Sequence, residues 1–156
     1  MDDAGLAQRA LFKRWPSGVS VVVAEAGGRR AGLTVSSLVS LSLDPPLIGI
    51  SLSRSASLIE VLREASSWTV SILAGDQDHL AQHFARSVPP LVLWEGIPVR
   101  SDDPRLIDGA LGWITARTIS EVDAGDHTFF IGAIDSLEEG APGPALVYVD
   151  RRYTAQ

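Results

Sequence analysis

The sequence predicts a mainly β fold of about six or seven antiparallel strands with roughly two or three short helices. Several segments are rich in β-branched residues or alternate between apolar and polar side chains, which is typical of strands. The 14 glycines and 9 prolines among 156 residues indicate many turns. Because a small closed barrel leaves few strand edges unpaired, it is the architecture that we expect.

The N-terminal half is expected to begin with a helix over residues 3–14. This helix ends before Pro16, because the residue preceding a proline disfavours helical geometry. Residues 19–35 contain two apolar segments separated by a Gly-Gly turn and therefore predict a β-hairpin. A strand over residues 47–52 follows the turn Asp44-Pro45-Pro46.

The middle of the chain is expected to alternate between helices and a strand. Ser57 and Glu60 have the spacing of a capping box, which predicts a helix that begins near Ser57. A strand is predicted over residues 68–73, and Gly75-Asp76 is predicted to open a second helix. Residues 87–105 contain several prolines and little periodicity, so we expect a long surface loop there.

The C-terminal third is predicted to be β structure. Residues 111–122 and 127–137 are rich in β-branched and aromatic residues, and the turn between them is Asp123-Ala124-Gly125-Asp126. A last strand is predicted over residues 145–149.

Charge and composition exclude several classes of function. A formal net charge of -6 argues against binding to nucleic acid polymers or to anionic membranes. Because the chain contains no cysteine, it has no disulfide framework, thiolate metal site, iron–sulfur cluster or cysteine nucleophile. No apolar segment is long enough to cross a bilayer, and the acidic start does not resemble a targeting peptide. We therefore expect a cytoplasmic protein without a membrane partner.

The familiar nucleotide-binding and hydrolytic motifs are absent from the sequence. It contains no dinucleotide-binding glycine fingerprint, phosphate-binding loop, zinc-protease motif or nucleophile elbow. His79 and His83 stand four residues apart on the predicted second helix, a spacing that suits two ligands of one metal ion. Two solvated surface histidines explain them better, because no third ligand is indicated, and we expect no metal site.

A serine-rich segment between residues 34 and 57 is the most informative feature of the sequence. It contains nine hydroxyl side chains and only two charged residues, Asp44 and Arg54. Hydroxyls, free backbone N–H groups at a helix start and Arg54 together suit a phosphate or a polar heterocycle. Ordinary turn and capping serines explain the same pattern equally well.

His127 is the one histidine outside the second predicted helix. It follows Gly125-Asp126 at the start of a strand. On this observation alone it is a structural or exposed histidine rather than a catalytic residue.

Three segments, in order, resemble the motifs of the flavin reductase-like family with the FMN-binding split barrel. They are residues 15–22 (WPSGVSVV), 32–46 (GLTVSSLVSLSLDPP) and 125–132 (GDHTFFIG). The order and spacing of the three segments also match, and the resemblance covers nearly the whole chain. On this basis the chain is identified as a member of that family.

The resemblance implies a single domain over residues 1–156, with a six-stranded antiparallel split barrel and a few short peripheral helices. It also implies a homodimer that binds FMN or FAD and transfers hydride to the flavin from NADH or NADPH. The reduced flavin would then supply a partner monooxygenase through a transient encounter. In such proteins the flavin supplies the redox chemistry and the chain supplies position and electrostatics.

The resemblance further implies a set of site residues. His127 would be the catalytic residue, because it would lie beside the nicotinamide and orient or polarise it. Along the isoalloxazine and ribityl chain would lie Thr34, Val35, Ser36 and Ser37, and around the ribityl chain and phosphate would lie Ser51, Ser53 and Ser57. Phe84 and Arg86 would lie near the phosphate, and Tyr153 beside the nicotinamide pocket.

Some positions depart from the pattern of the family. Ser53 stands where asparagine is common, which removes an amide donor, and Arg86 replaces a small residue. Residues 147–153 match only approximately. Two alternatives to a flavin reductase remain: a flavin-binding electron-transfer or carrier protein that retains its flavin, and a barrel that has lost flavin and serves as an interaction module.

Overall fold

Strands dominate the computed structural model, which describes residues 2–86 and 89–156. In these residues the helices are α1 (Asp3–Phe12), α2 (Leu58–Glu64) and α3 (Asp78–Phe84). The strands are β1 (Ser17–Gly18), β2 (Ser20–Ala26), β3 (Arg29–Val35), β4 (Val39–Leu43), β5 (Pro46–Ser53), β6 (Trp68–Ile72), β7 (Gly112–Ala124), β8 (His127–Glu139), β9 (Leu146–Val149) and β10 (Arg152–Ala155).

Two antiparallel sheets contain all of these strands. The larger sheet has seven strands in the order β3-β2-β6-β7-β8-β5-β4, and the smaller has the order β1-β9-β10. The edge strands β3 and β4 are consecutive in the chain, and residues 36–38 join them. Among the described residues, no backbone ladder joins these two edges. The side chain of Ser37, in the linker, is instead hydrogen-bonded to Ser51 on β5. The mainly β class with short helices is confirmed.

The strand count differs from the six that the resemblance implies, because the described residues include strands that lack a buried alternating pattern. β4 (VSLSL) alternates apolar and polar residues as a strand does, but it is an edge strand whose residues are mostly exposed. β1 has only two residues, and β10 continues β9 through a turn at Asp150 and Arg151, both with positive φ. The predicted hairpin over residues 19–35 and the strands near 47–52 and 68–73 are confirmed.

The helix predicted to begin near Ser57 is confirmed, since α2 begins at Leu58, but its predicted capping box is wrong, and so is the start predicted at Gly75-Asp76. Ser57 has helical rather than extended backbone angles, and its hydroxyl makes no capping hydrogen bond, so the capping box does not form. Helix α3 begins at Asp78 instead of Gly75, because the side chain of Gln77 accepts a hydrogen bond from Ala74 N and donates one to Asp108 O. These two bonds hold residues 74–77 in a turn.

The segment predicted as a surface loop over residues 87–105 is only partly superficial. Ser87 and Val88 lie outside the described residues. Further along, Leu93 is buried, and the connection to β7 continues to Leu106 and Ile107, which are also buried. This segment is therefore anchored in the apolar core.

Two apolar clusters lie on opposite faces of β2, which explains its run of consecutive apolar residues. Val22 and Ala24 pack into one cluster with Ile50, Trp68 and Phe130, beneath helix α2. Val21 and Val23 pack into the other, whose further members come from α3 and the long connection: Leu80, Phe84, Leu93 and Ile107. A strand buried on both faces reads as a continuous apolar segment rather than an alternating one.

Helix α1 stands apart from both clusters, since none of its residues is buried. Among the described residues, no helix has the length and apolar character needed to span a membrane.

Gly132 on β8 allows the ring of Trp68 to lie directly against the strand. A Cβ at this position would be 2.5 Å from Trp68 Cζ2 and 3.2 Å from Ala116 Cβ. The indole cannot easily shift, because it is fully buried and its Nε1 donates a hydrogen bond of 3.1 Å to Thr118 Oγ1. We therefore predict that Gly132→Ala lowers the free energy of unfolding by about 1–3 kcal/mol through overpacking.

Denaturant unfolding followed by tryptophan fluorescence measures this change. Gly18→Ala is the matched control, because its added Cβ would meet nothing within 4 Å. Equal unfolding midpoints for the two variants would show that the barrel tolerates a methyl group beneath Trp68.

Candidate active site at the end of β5 and the start of β8

The antiparallel pairing of β5 with β8 brings the serine-rich segment against the histidine motif. In this ladder Ser53 is opposite His127 and Ser51 is opposite Phe129. The backbone N–H of Arg54 continues the pairing by donating to Asp126 O over 3.0 Å. Residues more than seventy positions apart therefore share one end of the sheet.

The alternation of the two strands places these side chains on one face. Leu52, Thr128 and Phe130 are buried, so their neighbours Ser51, Ser53, His127 and Phe129 lie on the opposite face of the sheet. We call these four residues the outer-face cluster. The His127 side chain is 43% exposed, which leaves its ring accessible to a ligand.

Gly49 shapes the floor beside this cluster. A Cβ there would overlap the ring of Phe129, so the glycine allows the ring to lie flat against β5. The face next to Ser51 is therefore aromatic and smooth, which suits the planar surface of a heterocycle.

The imidazole of His127 is held by its neighbour in the turn. His127 Nδ1 lies 2.7 Å from Asp126 Oδ1. The hydrogen bond to His127 lowers the pKa of the Asp126 carboxyl below its ordinary value, and the positive charge of Arg54 adds to this effect. Asp126 is therefore a carboxylate at neutral pH and the acceptor in this bond.

Polar groups continue from the outer-face cluster into the loop after β5. The hydroxyls of Ser53 and Ser55 lie 2.9 Å apart, and the half-exposed Arg54 guanidinium is 3.2 Å from Asp123 Oδ1. Hydroxyls beside an arginine are the donor set that a polyol chain ending in a phosphate ester requires. The residues present therefore fit the polar arm of a flavin nucleotide.

The predicted cofactor-binding residues Thr34 and Ser37 use their hydroxyls within the protein. Ser37 Oγ donates to Ser51 O over 2.9 Å and accepts from Ser51 N over 3.0 Å. Thr34 Oγ1 donates to Ala81 O on helix α3 over 2.7 Å. Ser37 thus anchors the linker between β3 and β4 to the site, and Thr34 anchors β3 to α3.

The remaining predicted positions between residues 35 and 57 differ in exposure. The side chain of Val35 is buried in the core, so only its backbone is available to a ligand. Ser36 and Ser57 are exposed, and Ser57 makes no capping bond. None of the three belongs to the outer-face cluster.

Phe84 and Tyr153 gather near helix α3 rather than in the outer-face cluster. Phe84 is 1% exposed and packs against His83 and Trp94, with ring centroids 5.2 Å apart in each pair. Tyr153 packs on Tyr148, with ring centroids 5.0 Å apart, and burial raises the pKa of its phenol. The ring of Phe84 therefore acts as a core side chain.

Arg86 is exposed just after helix α3, and it immediately precedes Ser87 and Val88, which lie outside the described residues. On the same helix, His83 Nε2 lies 2.7 Å from Leu93 O, so this histidine is tied to the long connection. In residues 2–86 and 89–156, no group of three or more metal-ligating side chains lies together.

Sequence reasoning missed one residue of the site, Asp126, because its position suggested only a hairpin turn. The signal was its place directly before the histidine, which allows a carboxylate to reach the ring. The neighbouring Arg54 was recognised only as a possible anion ligand, and its pairing with Asp123 follows from the register of β7 with β8.

Comparison with known proteins identifies the family of this chain. Residues 12–155 match the family described as the flavin reductase like domain. The chain belongs to the flavin reductase-like family. The resemblance stated from its three motifs is thereby confirmed.

Individual members of the flavin reductase-like family match this chain over most of its length. The reductase component of 4-hydroxyphenylacetate 3-monooxygenase from Thermus thermophilus is 37% identical over 146 residues, which cover 93% of this chain and 92% of that protein. The NADH:FMN oxidoreductase of Rhodococcus qingshengii is 32% identical over 151 residues, which cover 93% of this chain and 79% of that protein.

A solved structure of the family agrees with the fold. The flavin reductase component of a bacterial two-component tryptophan halogenase superimposes with a TM-score of 0.87 at 31% identity, and the match covers 97% of each chain. The split barrel described above is therefore the arrangement found in a flavin reductase.

The different surroundings of Ser37 and Ser57 give a matched pair of substitutions. Ser37→Ala leaves Ser51 N and O without their partner in a half-buried place, so we predict a loss of about 1–3 kcal/mol in unfolding free energy. Ser57→Ala removes an exposed hydroxyl without a capping role, and we predict a change within about 0.5 kcal/mol.

Chemical denaturation of both variants in the absence of flavin measures these values. A larger loss for Ser57→Ala than for Ser37→Ala would mean that the hydroxyl of Ser57 caps helix α2 and that the bridge from Ser37 is unimportant.

Proposed function

We propose that this protein is an NAD(P)H-dependent flavin reductase, which transfers hydride from a nicotinamide nucleotide to FMN or FAD. The observation that carries the proposal is the meeting of Ser51 and Ser53 with His127 across the β5–β8 ladder. The family membership supports it, because relatives of this chain are named an NADH:FMN oxidoreductase and the reductase component of a monooxygenase.

The outer-face cluster supports a division of roles among its residues. The hydroxyls of Ser51 and Ser53 would hold the ribityl chain, and Arg54 would pair with the phosphate. Phe129 and the open backbone at Gly49 would support the planar ring system. A bound flavin supplies the capacity to accept hydride at a ring nitrogen.

His127 would orient the nicotinamide, and we propose it as the catalytic residue. Its ring lies on the same face as the serines and is partly exposed. For the other predicted cofactor-binding positions we propose indirect roles: Thr34, Ser37 and Phe84 would position the strands and linker around the site. Ser36, Ser57, Arg86, Tyr153 and the backbone of Val35 remain proposed contacts of the flavin or the nicotinamide.

Free flavin is expected to be a substrate rather than a retained cofactor. The site lies on an outer face of the sheet and its residues are partly exposed, which favours exchange of the flavin with solvent. The reduced flavin would then serve a transiently bound flavin-dependent monooxygenase, as the names of the relatives suggest. Because reduced nicotinamide nucleotides are intracellular donors, we propose a cytoplasmic location, and we propose that residues 1–156 act as one domain.

The purified protein should oxidise NADH or NADPH in the presence of free FMN or FAD, with saturation in both substrates. Comparing kcat/KM for the four combinations identifies the preferred pair. Oxidation of the nicotinamide nucleotide no faster than in the same flavin-containing solution without the protein would contradict the proposed function. A yellow protein that keeps its flavin on gel filtration without turning over free flavin would support the carrier alternative instead.

His127→Ala should lower kcat/KM for the nicotinamide nucleotide by on the order of tenfold, because about one hydrogen bond to the substrate is lost. Flavin affinity, measured by fluorescence titration, should change much less. His79→Ala is the matched control, because His79 is an exposed histidine on α3. A loss of flavin affinity with unchanged turnover at saturating flavin would assign His127 to the flavin instead.

A homodimer is the second part of the proposal, and an apolar face supports it. Helices α2 and α3 pack on β2 and β3, whereas Val39 of β4 and Val122 of β7 remain 40% and 49% exposed beside Phe129 and Ile131. A second copy would cover these two exposed valines beside the outer-face cluster. The exposed valines are otherwise an aggregation liability.

Sedimentation equilibrium should give twice the chain mass. Val122→Glu should shift the protein toward monomer, because it would bury charge in the proposed interface, whereas the isosteric Val122→Thr should remain dimeric. A wild-type protein that sediments as a monomer at assay concentration would remove the dimer from the proposal.

A further inference from the structure

The carboxylate of Asp126 occupies a place that the turn itself does not require. Among the described residues, Asp126 is not one that has a positive φ, so its backbone angles do not require an aspartate, asparagine or glycine. The left-handed position of this turn is taken by Gly125, with φ of 64°. Backbone geometry therefore does not account for an aspartate at position 126.

The turn that carries this carboxylate is tied to the sheet, although the side chain itself is 93% exposed. The backbone of Asp126 accepts a hydrogen bond from Arg54 N, which ties the turn to the residue after β5. Within the described residues, the one side chain that is hydrogen-bonded to the Asp126 carboxylate is that of His127, through Nδ1 at 2.7 Å. The charged groups nearby are Arg54 and Asp123, and these two pair with each other.

We propose that Asp126 is a positioning residue that makes Nε2 of His127 a hydrogen-bond acceptor for the carboxamide N–H of the nicotinamide. The inference rests on the proposed function and adds to it the chemical group that His127 recognises. A carboxylate can only accept hydrogen bonds, so the proton between the two side chains belongs to His127 Nδ1. In a neutral imidazole the other nitrogen, Nε2, then carries a lone pair.

This arrangement distinguishes the amide N–H from its carbonyl oxygen. A ring with its proton on Nε2 would donate to the carbonyl, whereas the arrangement held by Asp126 accepts from the amide nitrogen. Because the hydrogen bond from His127 lowers the pKa of the Asp126 carboxyl, the carboxylate that accepts from His127 Nδ1 persists throughout the neutral range. His127 in this orientation would also fix which side of the nicotinamide faces the flavin.

The protonated nitrogen of His127 can be read directly by nitrogen NMR of the labelled protein in mildly alkaline solution, where imidazoles are neutral. The chain has three histidines, so the spectrum of His127→Ala assigns the signals. We expect the wild-type protein and Asp126→Asn to carry the proton on Nδ1, because the asparagine side-chain oxygen still accepts. In Asp126→Ala the proton should move to Nε2 in part of the population.

The kinetic consequence is a change confined to the nicotinamide. Asp126→Ala should raise KM for the reduced nicotinamide nucleotide by about three- to tenfold, the loss expected for about one hydrogen bond, with flavin affinity unchanged. Asp126→Asn should recover most of this loss. The reduced 3-acetylpyridine analogue of the nucleotide lacks the amide N–H. The ratio of KM for this analogue to KM for the natural donor should therefore be smaller in Asp126→Ala than in the wild-type enzyme. Asp135→Ala, which removes a carboxylate of β8 that pairs with Arg117 instead of a residue of the site, is the matched control.

A double-mutant cycle separates positioning from a direct role. If Asp126 acts through His127, Asp126→Ala should have no further effect in a His127→Ala background. An unchanged effect in that background would overturn the inference, as would a wild-type His127 with its proton on Nε2 or a normal KM in Asp126→Ala. Failure of the wild-type protein to turn over refutes the proposed function itself, and the NMR result for His127 is independent of it.

Discussion

The register between β5 and β8 is the constraint on which the rest of the molecule depends. The ladder runs from Leu47 opposite Ala133 to Ser53 opposite His127. Because side chains alternate between faces, a slip of one residue would carry His127 into the core and expose Phe130. The free energy that holds the register comes from burying Ile50, Leu52 and Phe130, none of which is polar. A polar site is thus aligned by apolar packing on the opposite face.

Glycines act with this packing at the places where rings approach the sheet. Gly132 admits the indole of Trp68 from the core side, and Gly49 admits the ring of Phe129 from the outer side. The two aromatic contacts lie on opposite faces of neighbouring strands. They restrict the sliding of β8 along β5, and they leave the end of the ladder free for Ser53 and His127. Core packing therefore aligns the residues of the site, and the turn adds Asp126 beside His127.

Much of the fold could be predicted from local patterns, but the site could not. The β-hairpin over residues 19–35 and the strands near 47–52 and 68–73 have strong local signals. The neighbourhood of β5 and β8 is non-local, and within the sequence only the resemblance to a family links their residues. The capping box at Ser57 failed because a favourable spacing does not fix the backbone angles that a cap requires.

Side-chain roles were the least predictable feature. A hydroxyl in a serine-rich segment can face a ligand or the protein, and the sequence does not distinguish the two. Ser37 faces Ser51, Thr34 faces Ala81, and Ser53 faces Ser55. Asp126 was missed because turn chemistry was a sufficient explanation for an aspartate beside a glycine. Its contact with His127 depends on the side-chain rotamer and on the distance between the two groups, which the sequence does not determine.

The most direct test of the central claim is a crystal structure of the protein with FMN and oxidised nicotinamide nucleotide bound. We predict flavin density over the outer face of β5, with the ribityl chain at Ser51 and Ser53 and the isoalloxazine against Phe129. The nicotinamide carboxamide nitrogen should lie within hydrogen-bond distance of His127 Nε2. Flavin density on another face of the barrel, with His127 in contact with neither nucleotide, would contradict the claim that the β5–β8 register creates the site.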